Sequence, residues 1–134
     1  MVRIFNLKSK EDASFYAAVE VIKQLEHKKD SVLGFATGGT MLHLYEKLND
    51  LLKLNNVDLS KVKTFNLDEC IHLSANHDQS YKTYMYNNFL KFNATFNENN
   101  FFIPNGNAVD LNNEVRRYEA LIENNGSINL QILE

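Results

Sequence analysis

The fold is decided by one stretch, Ser31-Val32-Leu33-Gly34-Phe35-Ala36-Thr37-Gly38-Gly39-Thr40. Residues 31–36 form a short apolar run of the kind that a buried strand of a parallel sheet shows. The glycine turn 37–40 follows at once, and apolar residues at helical spacing begin at Met41. A strand, a tight turn and a helix in this order are typical of α/β proteins.

The same alternation continues along the chain. Apolar residues at helical spacing predict helices over 10–28, 41–54, 80–90 and from Leu111 to Ile122. Short apolar runs predict strands at 31–36, 62–67 and 101–103, and another from about Ile128. The apolar stripes of the first and last helices are expected to consist of Phe15, Ala18, Ile22 and Leu25, and of Leu111, Val115, Tyr118 and Ile122. The polar segment 91–100 is expected to be a loop.

This order of elements predicts an α/β protein with a Rossmann-like, mostly parallel sheet and helices on both faces. A length of 134 residues suits one domain. The residues from Ser127 to Glu134 read as a strand that follows a glycine turn and then stops. We therefore expect a truncated sheet, with residues 1–134 forming part of a single domain.

Composition and charge argue against several classes of protein. With 14 Lys and Arg against 17 Asp and Glu, the chain lacks the net positive charge of a nucleic-acid-binding protein. No apolar run approaches the ~20 residues that cross a bilayer, and the first residues do not resemble a signal peptide. The single cysteine, Cys70, cannot form an internal disulfide, which favours a cytoplasmic location. His72, His77 and Asp78 match no metal-ligand spacing, so no metal site is predicted.

The glycine turn Thr37-Gly38-Gly39-Thr40 is the first candidate binding site. Glycines allow a tight curl, and the free N–H groups of the following helix can hold one phosphate together with the helix dipole. The turn is neither a Walker loop, because no Lys follows at the required spacing, nor a GxGxxG motif. The alternative is a turn that only packs a helix close to a sheet.

The acidic pair Asp68 and Glu69 follows the next strand and is the second candidate. In a parallel sheet ligands bind outside the carboxyl ends of the strands, so these side chains should lie close to the glycine turn. A carboxylate beside a bound sugar phosphate could take a proton from carbon during isomerisation. The alternative is structural, since an Asp at the end of a strand often caps a helix or accepts hydrogen bonds within a turn.

Four segments together resemble one family. They are Leu33-Gly34-Phe35-Ala36-Thr37-Gly38-Gly39-Thr40, Thr64-Phe65-Asn66-Leu67-Asp68-Glu69, His77-Asp78-Gln79-Ser80-Tyr81 and Ile103-Pro104-Asn105-Gly106-Asn107-Ala108. In this order and at similar spacing they resemble glucosamine-6-phosphate deaminases. The resemblance covers nearly the whole chain and implies the N-terminal portion of such an enzyme.

The resemblance also implies a reaction and a set of residue roles. Glucosamine 6-phosphate and water would give fructose 6-phosphate and ammonia, with no cofactor. Residues 37–40 match the phosphate-binding turn, and Asp68 matches the aspartate that moves a proton between C1 and C2. Glu69 and Tyr81 are expected to help bind the substrate. Tyr118 falls where some allosteric members carry an effector-linked tyrosine, and we interpret it first as a core aromatic.

Departures from the family pattern leave alternatives open. Cys70, His72 and Asp78 replace residues that are usual in the family, and the family's ring-opening residues and later basic residues are missing. The chain alone is therefore expected to be inactive, and self-association into a homo-oligomer is expected from its incomplete sheet. The alternatives are an enzyme like 6-phosphogluconolactonase or ribose-phosphate isomerase, or a non-catalytic module that senses sugar phosphates.

Overall fold

The computed structural model describes residues 1–134 as an α/β fold. The helices are α1 (Lys10–His27), α2 (Met41–Leu54), α3 (Tyr81–Asn88) and α4 (Leu111–Asn124), and the strands are β1 (Val32–Phe35), β2 (Lys63–Asn66), β3 (Phe101–Phe102) and β4 (Leu130–Gln131). None of the helices has the length and apolar character needed to cross a membrane.

Side-chain caps fix the starts of three helices. The Ser9 hydroxyl accepts the N–H of Asp12 at α1, and the Ser80 hydroxyl accepts the N–H of Thr83 at α3. Asp110 caps α4 in the same way. These bonds satisfy N–H groups that the first turn of a helix leaves without partners.

The strands form one parallel sheet in the order β3-β2-β1-β4, which confirms the predicted fold class. Strand β1 is central and buried along its whole length. It pairs with β2 so that Phe35 lies opposite Asn66, and with β4 so that Gly34 lies opposite Gln131. All strands therefore end at the same edge of the sheet, where the candidate residues follow β1 and β2.

The two faces of the sheet are covered unequally. On one face α1, α2 and α3 pack with β1 in a cluster of 17 buried hydrophobic residues. On the other face α4 covers a cluster of only three, Val32, Phe65 and Tyr118. Helices on both faces are confirmed, and most of the core lies on the first.

Parts of the predicted apolar stripes are wrong. Phe15 is 49% exposed and Val115 is 68% exposed, and Leu111 is exposed as well. Helical spacing identifies an apolar face but not whether another element covers it. Tyr118 is buried on α4 as predicted, and so is Glu114, whose carboxylate pairs with Arg117.

The segment 91–100 is more ordered than the predicted loop. It includes parts of two short 3-10 turns, Leu90–Phe92 and Glu98–Asn100. Between them Phe96 is buried and packs on Phe89 of the main core. The buried ring of Phe96 anchors this segment, and the polar composition of the segment does not indicate that contact.

Candidate active site

The two predicted site segments lie side by side. Leu67 N–H donates to the Phe35 carbonyl, so the register of β1 and β2 continues past their last paired residues. Two residues beyond the Phe35–Asn66 pair, this register brings Thr37 level with Asp68. Since neighbouring strands are about 4.8 Å apart, the glycine turn and the acidic pair lie side by side at this edge of the sheet. We call the space that they border the crevice, and the two segments its walls.

The glycine turn has the geometry of an anion cradle. Gly38 has φ of 122°, a conformation that side chains rarely adopt, so the turn requires glycine there. The Thr40 hydroxyl donates to Glu134 Oε1 at 2.7 Å, and the Thr40 N–H donates to the same oxygen at 3.4 Å. The side chain of Glu134 thus places a carboxylate against the turn, over Gly38. The turn holds an anionic group in this structure.

Two tyrosine hydroxyls donate hydrogen bonds to backbone carbonyls in the turn and directly before it. Tyr45, fully buried on α2, donates to the Ala36 carbonyl, and Tyr84 on α3 donates to the Gly38 carbonyl at 2.7 Å. The two rings meet edge to face with centroids 6.3 Å apart. Burial, and then the charge of Glu134, raise the pKa of Tyr84 to about 12. The backbone of the turn is therefore tied to two separate helices.

Asp68 lies at the open side of the crevice. Its carboxylate is exposed and accepts no hydrogen bond from the chain. The neighbouring Tyr81 phenol is close to Cys70 and Asp68, whose negative charges, Cys70 first, raise the pKa of Tyr81. The side chain of Thr37, in the glycine turn, also lies near this phenol and has a smaller, opposite effect on its pKa. Thr37, Asp68 and Tyr81 therefore come together, and the carboxylate of Asp68 is free to act on a ligand.

Glu69 caps α3. Its Oε1 accepts the N–H groups of Cys70 and Tyr81 at 2.9 and 2.8 Å, and its Oε2 accepts the N–H of Lys82 at 3.0 Å. A carboxylate at the N-terminus of a helix is also favoured by the helix dipole. The bonds give Glu69 a positioning role, while its predicted contact with substrate stays a prediction.

Tyr118 ties together the ends of β2 and β3. It is 8% exposed, and its hydroxyl contacts the carbonyls of Asn66 at 2.8 Å and Phe102 at 3.1 Å. Burial raises the pKa of Tyr118, so the hydroxyl remains a donor. This supports the interpretation as a core aromatic.

A cavity of about 710 Å³ opens beside the edge strand β3. Its lining includes Glu69, Lys82 and Arg117 but neither Asp68 nor any residue of the glycine turn. Because the cavity is lined neither by Asp68 nor by the glycine turn, we assign the site to the crevice and not to the cavity.

Sequence reasoning did not single out Tyr45 or Tyr84 as residues of the site. A tyrosine on the apolar stripe of a helix usually finds a partner for its hydroxyl when buried, and that was the available signal. The contact of Glu134 with Thr40 was also missed, because no local pattern indicates a contact over so long a stretch of chain.

Two curated relatives that match the chain carry the same name. No protein-family model matches it. It is 45% identical over 132 residues to a glucosamine-6-phosphate deaminase of Staphylococcus haemolyticus and 46% identical over 132 residues to one of Staphylococcus saprophyticus. These alignments include 98% of this chain and 54% of each relative. The chain thus spans about half the length of the curated relatives it matches.

Solved structures give the same answer. A monomeric glucosamine-6-phosphate deaminase superposes with a TM-score of 0.93 at 36% identity, over 97% of this chain and 54% of the other. A 6-phosphogluconolactonase from Thermotoga maritima gives a TM-score of 0.69 at 17% identity, over 90% of this chain and 53% of that one, and shares the fold alone. By sequence and by fold, the chain is similar to glucosamine-6-phosphate deaminases over about half of their length.

Proposed function

We propose that this chain is the N-terminal part of a glucosamine-6-phosphate deaminase, which converts glucosamine 6-phosphate and water into fructose 6-phosphate and ammonia. The observation that carries the proposal is the pairing of an anion-holding glycine turn with a free carboxylate at the ends of adjacent strands. The names of the relatives support the same substrate.

The geometry supports a division of roles. Residues 37–40 would bind the phosphate through backbone N–H groups and threonine hydroxyls, which fixes the sugar in the crevice. Asp68, exposed and without a hydrogen bond from the chain, would take the proton from C2 of the open sugar and return it to C1. The carboxylate then ends the transfer ionised, as it began.

The remaining assignments belong to the same proposal. Tyr81 would border the bound sugar, since its phenol lies close to Thr37 and Asp68. Glu69 would act through α3, which it caps. Residues 1–134 would form one part of a single domain, working in the cytoplasm without a cofactor or metal.

The test is complementation by the missing half. We expect the chain alone to release no ammonia from glucosamine 6-phosphate, and the chain co-expressed with the remaining half of the Staphylococcus haemolyticus relative to release it. Asp68→Asn should lower this rate by about 10²–10⁴-fold, the usual contribution of a general acid-base group. Asp50→Asn, which changes an exposed carboxylate on α2, is the matched control and should leave the rate unchanged.

Three results would contradict the proposal in different ways. Ordinary turnover by the chain alone would refute its inactivity. Hydrolysis of 6-phosphogluconolactone without ammonia release would favour the lactonase alternative. Binding of the sugar phosphate that survives Asp68→Asn, with no catalysis by the complemented protein, would favour a sensing module.

A further inference from the structure

The hydroxyl of Tyr84 contacts the backbone of the glycine turn and not a side chain. Tyr84 lies on α3, one turn after Tyr81, and donates to the Gly38 carbonyl at 2.7 Å. The ring is half-buried and rests on Tyr45, so its direction is fixed by packing. The hydrogen bond therefore joins α3 to a peptide between two glycines, whose backbone has the widest choice of conformations.

The orientation of that peptide decides whether the turn can hold an anion. In a planar trans peptide the carbonyl and the following N–H point in opposite directions. When Tyr84 holds the Gly38 carbonyl toward α3, the Gly39 N–H must point away from α3. Glycines on both sides would otherwise let this peptide flip and present its carbonyl to the ligand.

The structure places an anionic group against the same turn. The Glu134 carboxylate lies over Gly38 and accepts the hydroxyl and N–H of Thr40. It occupies the position expected for a phosphate at the start of α2. A flipped Gly38–Gly39 peptide would aim a carbonyl dipole at such a group and weaken its binding.

We propose that Tyr84 is a positioning residue of the phosphate site, which orients the Gly38–Gly39 peptide so that its N–H faces the anion. The inference rests on the proposed phosphate-binding role of the turn and adds a residue on a different element. Because the pKa of Tyr84 is about 12, the hydroxyl remains a donor at any pH at which the protein would work.

The test is a titration of the chain with inorganic phosphate, followed by the amide NMR signals of Gly38, Gly39 and Thr40. Glu134 competes for the same donors, so each titration is repeated with Glu134→Gln, which should bind phosphate more tightly. In both backgrounds Tyr84→Phe should raise the Kd about fivefold or more, the usual effect of losing one hydrogen bond. The response of the Gly39 amide should shrink most.

Tyr86→Phe is the matched control. It removes a hydroxyl from the same helix, but from an exposed side chain with no contact to the turn, and the Kd should not change. Urea unfolding of each variant separates folding from binding. An unchanged Kd in Tyr84→Phe, whatever its stability, would overturn this inference while leaving the phosphate turn in place. Failure of both the parent chain and Glu134→Gln to bind phosphate would overturn the turn itself, and the inference with it.

Discussion

Thr64 and Asn66 are buried polar side chains without hydrogen-bond partners. The Thr64 hydroxyl and both polar atoms of the Asn66 carboxamide are unpaired, although these residues are 0% and 2% exposed. They alternate with Phe65 along β2 and therefore share one face of the sheet, the face that carries the larger core. A buried polar group without a partner lowers the stability of the fold by about 1–3 kcal/mol.

Thr64→Val should therefore stabilise the chain. The substitution keeps the branched shape that suits a strand and removes the unpaired hydroxyl. We expect the free energy of unfolding in urea to rise by about 1 kcal/mol. Thr95→Val is the control, because the Thr95 hydroxyl accepts the N–H of Leu59 at 3.0 Å and its loss should destabilise. Equal effects of the two substitutions would contradict the assignment of Thr64 as unpaired.

At the scale of elements, α3 links the two walls of the crevice. Its first N–H groups bind Glu69, which follows β2, and Tyr84 binds the glycine turn, which follows β1. A small shift of this helix would move the Tyr81 phenol and the Gly38 carbonyl together. Both walls are thus positioned by one short element whose own start depends on a carboxylate.

Glu69→Ala tests whether the start of α3 depends on the Glu69 carboxylate. It removes the acceptor of three N–H groups, so we expect a loss of stability of about 1–2 kcal/mol, the range measured for helix caps. Weaker phosphate binding should accompany it, because Tyr84 moves with α3. The comparison is Glu98→Ala, which removes an exposed carboxylate in a 3-10 turn. A Glu69→Ala variant with unchanged stability and unchanged phosphate affinity would count against the link.

The elements themselves were predictable because their signals are local. The range 41–54 of α2 and the buried run of β1 follow from neighbouring residues, and the structure confirms them. The exposure of Val115 and the burial of Phe96 depend on what packs against them, which no short window reports. The same holds for the site. Local motifs indicated the glycine turn and Asp68, whereas the contact of the Tyr84 hydroxyl with the turn becomes visible only in the folded structure.

For the whole molecule, the important feature is the imbalance of its two cores. The face that carries α1, α2 and α3 holds 17 buried hydrophobic residues, whereas α4 closes only three. Strand β4 adds just two residues to the sheet. Regions with few buried apolar contacts open at lower free energy than the rest of a protein.

Amide hydrogen exchange should show this imbalance directly. We expect the amides of α4, such as that of Tyr118, to exchange through a lower-energy opening than those of α2, such as that of Leu48. NMR-detected exchange of the native chain over several hours measures both. If the two helices open with the same free energy, the chain unfolds as one unit and the imbalance has no consequence for its stability.

Cys70 offers a single position for chemical labelling of the site. It is the only thiol in the chain, it is partly exposed, and it lies close to the Tyr81 phenol beside the crevice. A thiol-directed fluorophore would therefore attach at a single position, beside Asp68 and within reach of whatever enters. Its emission would report occupancy of the crevice in the natural sequence, with no residue introduced for the purpose.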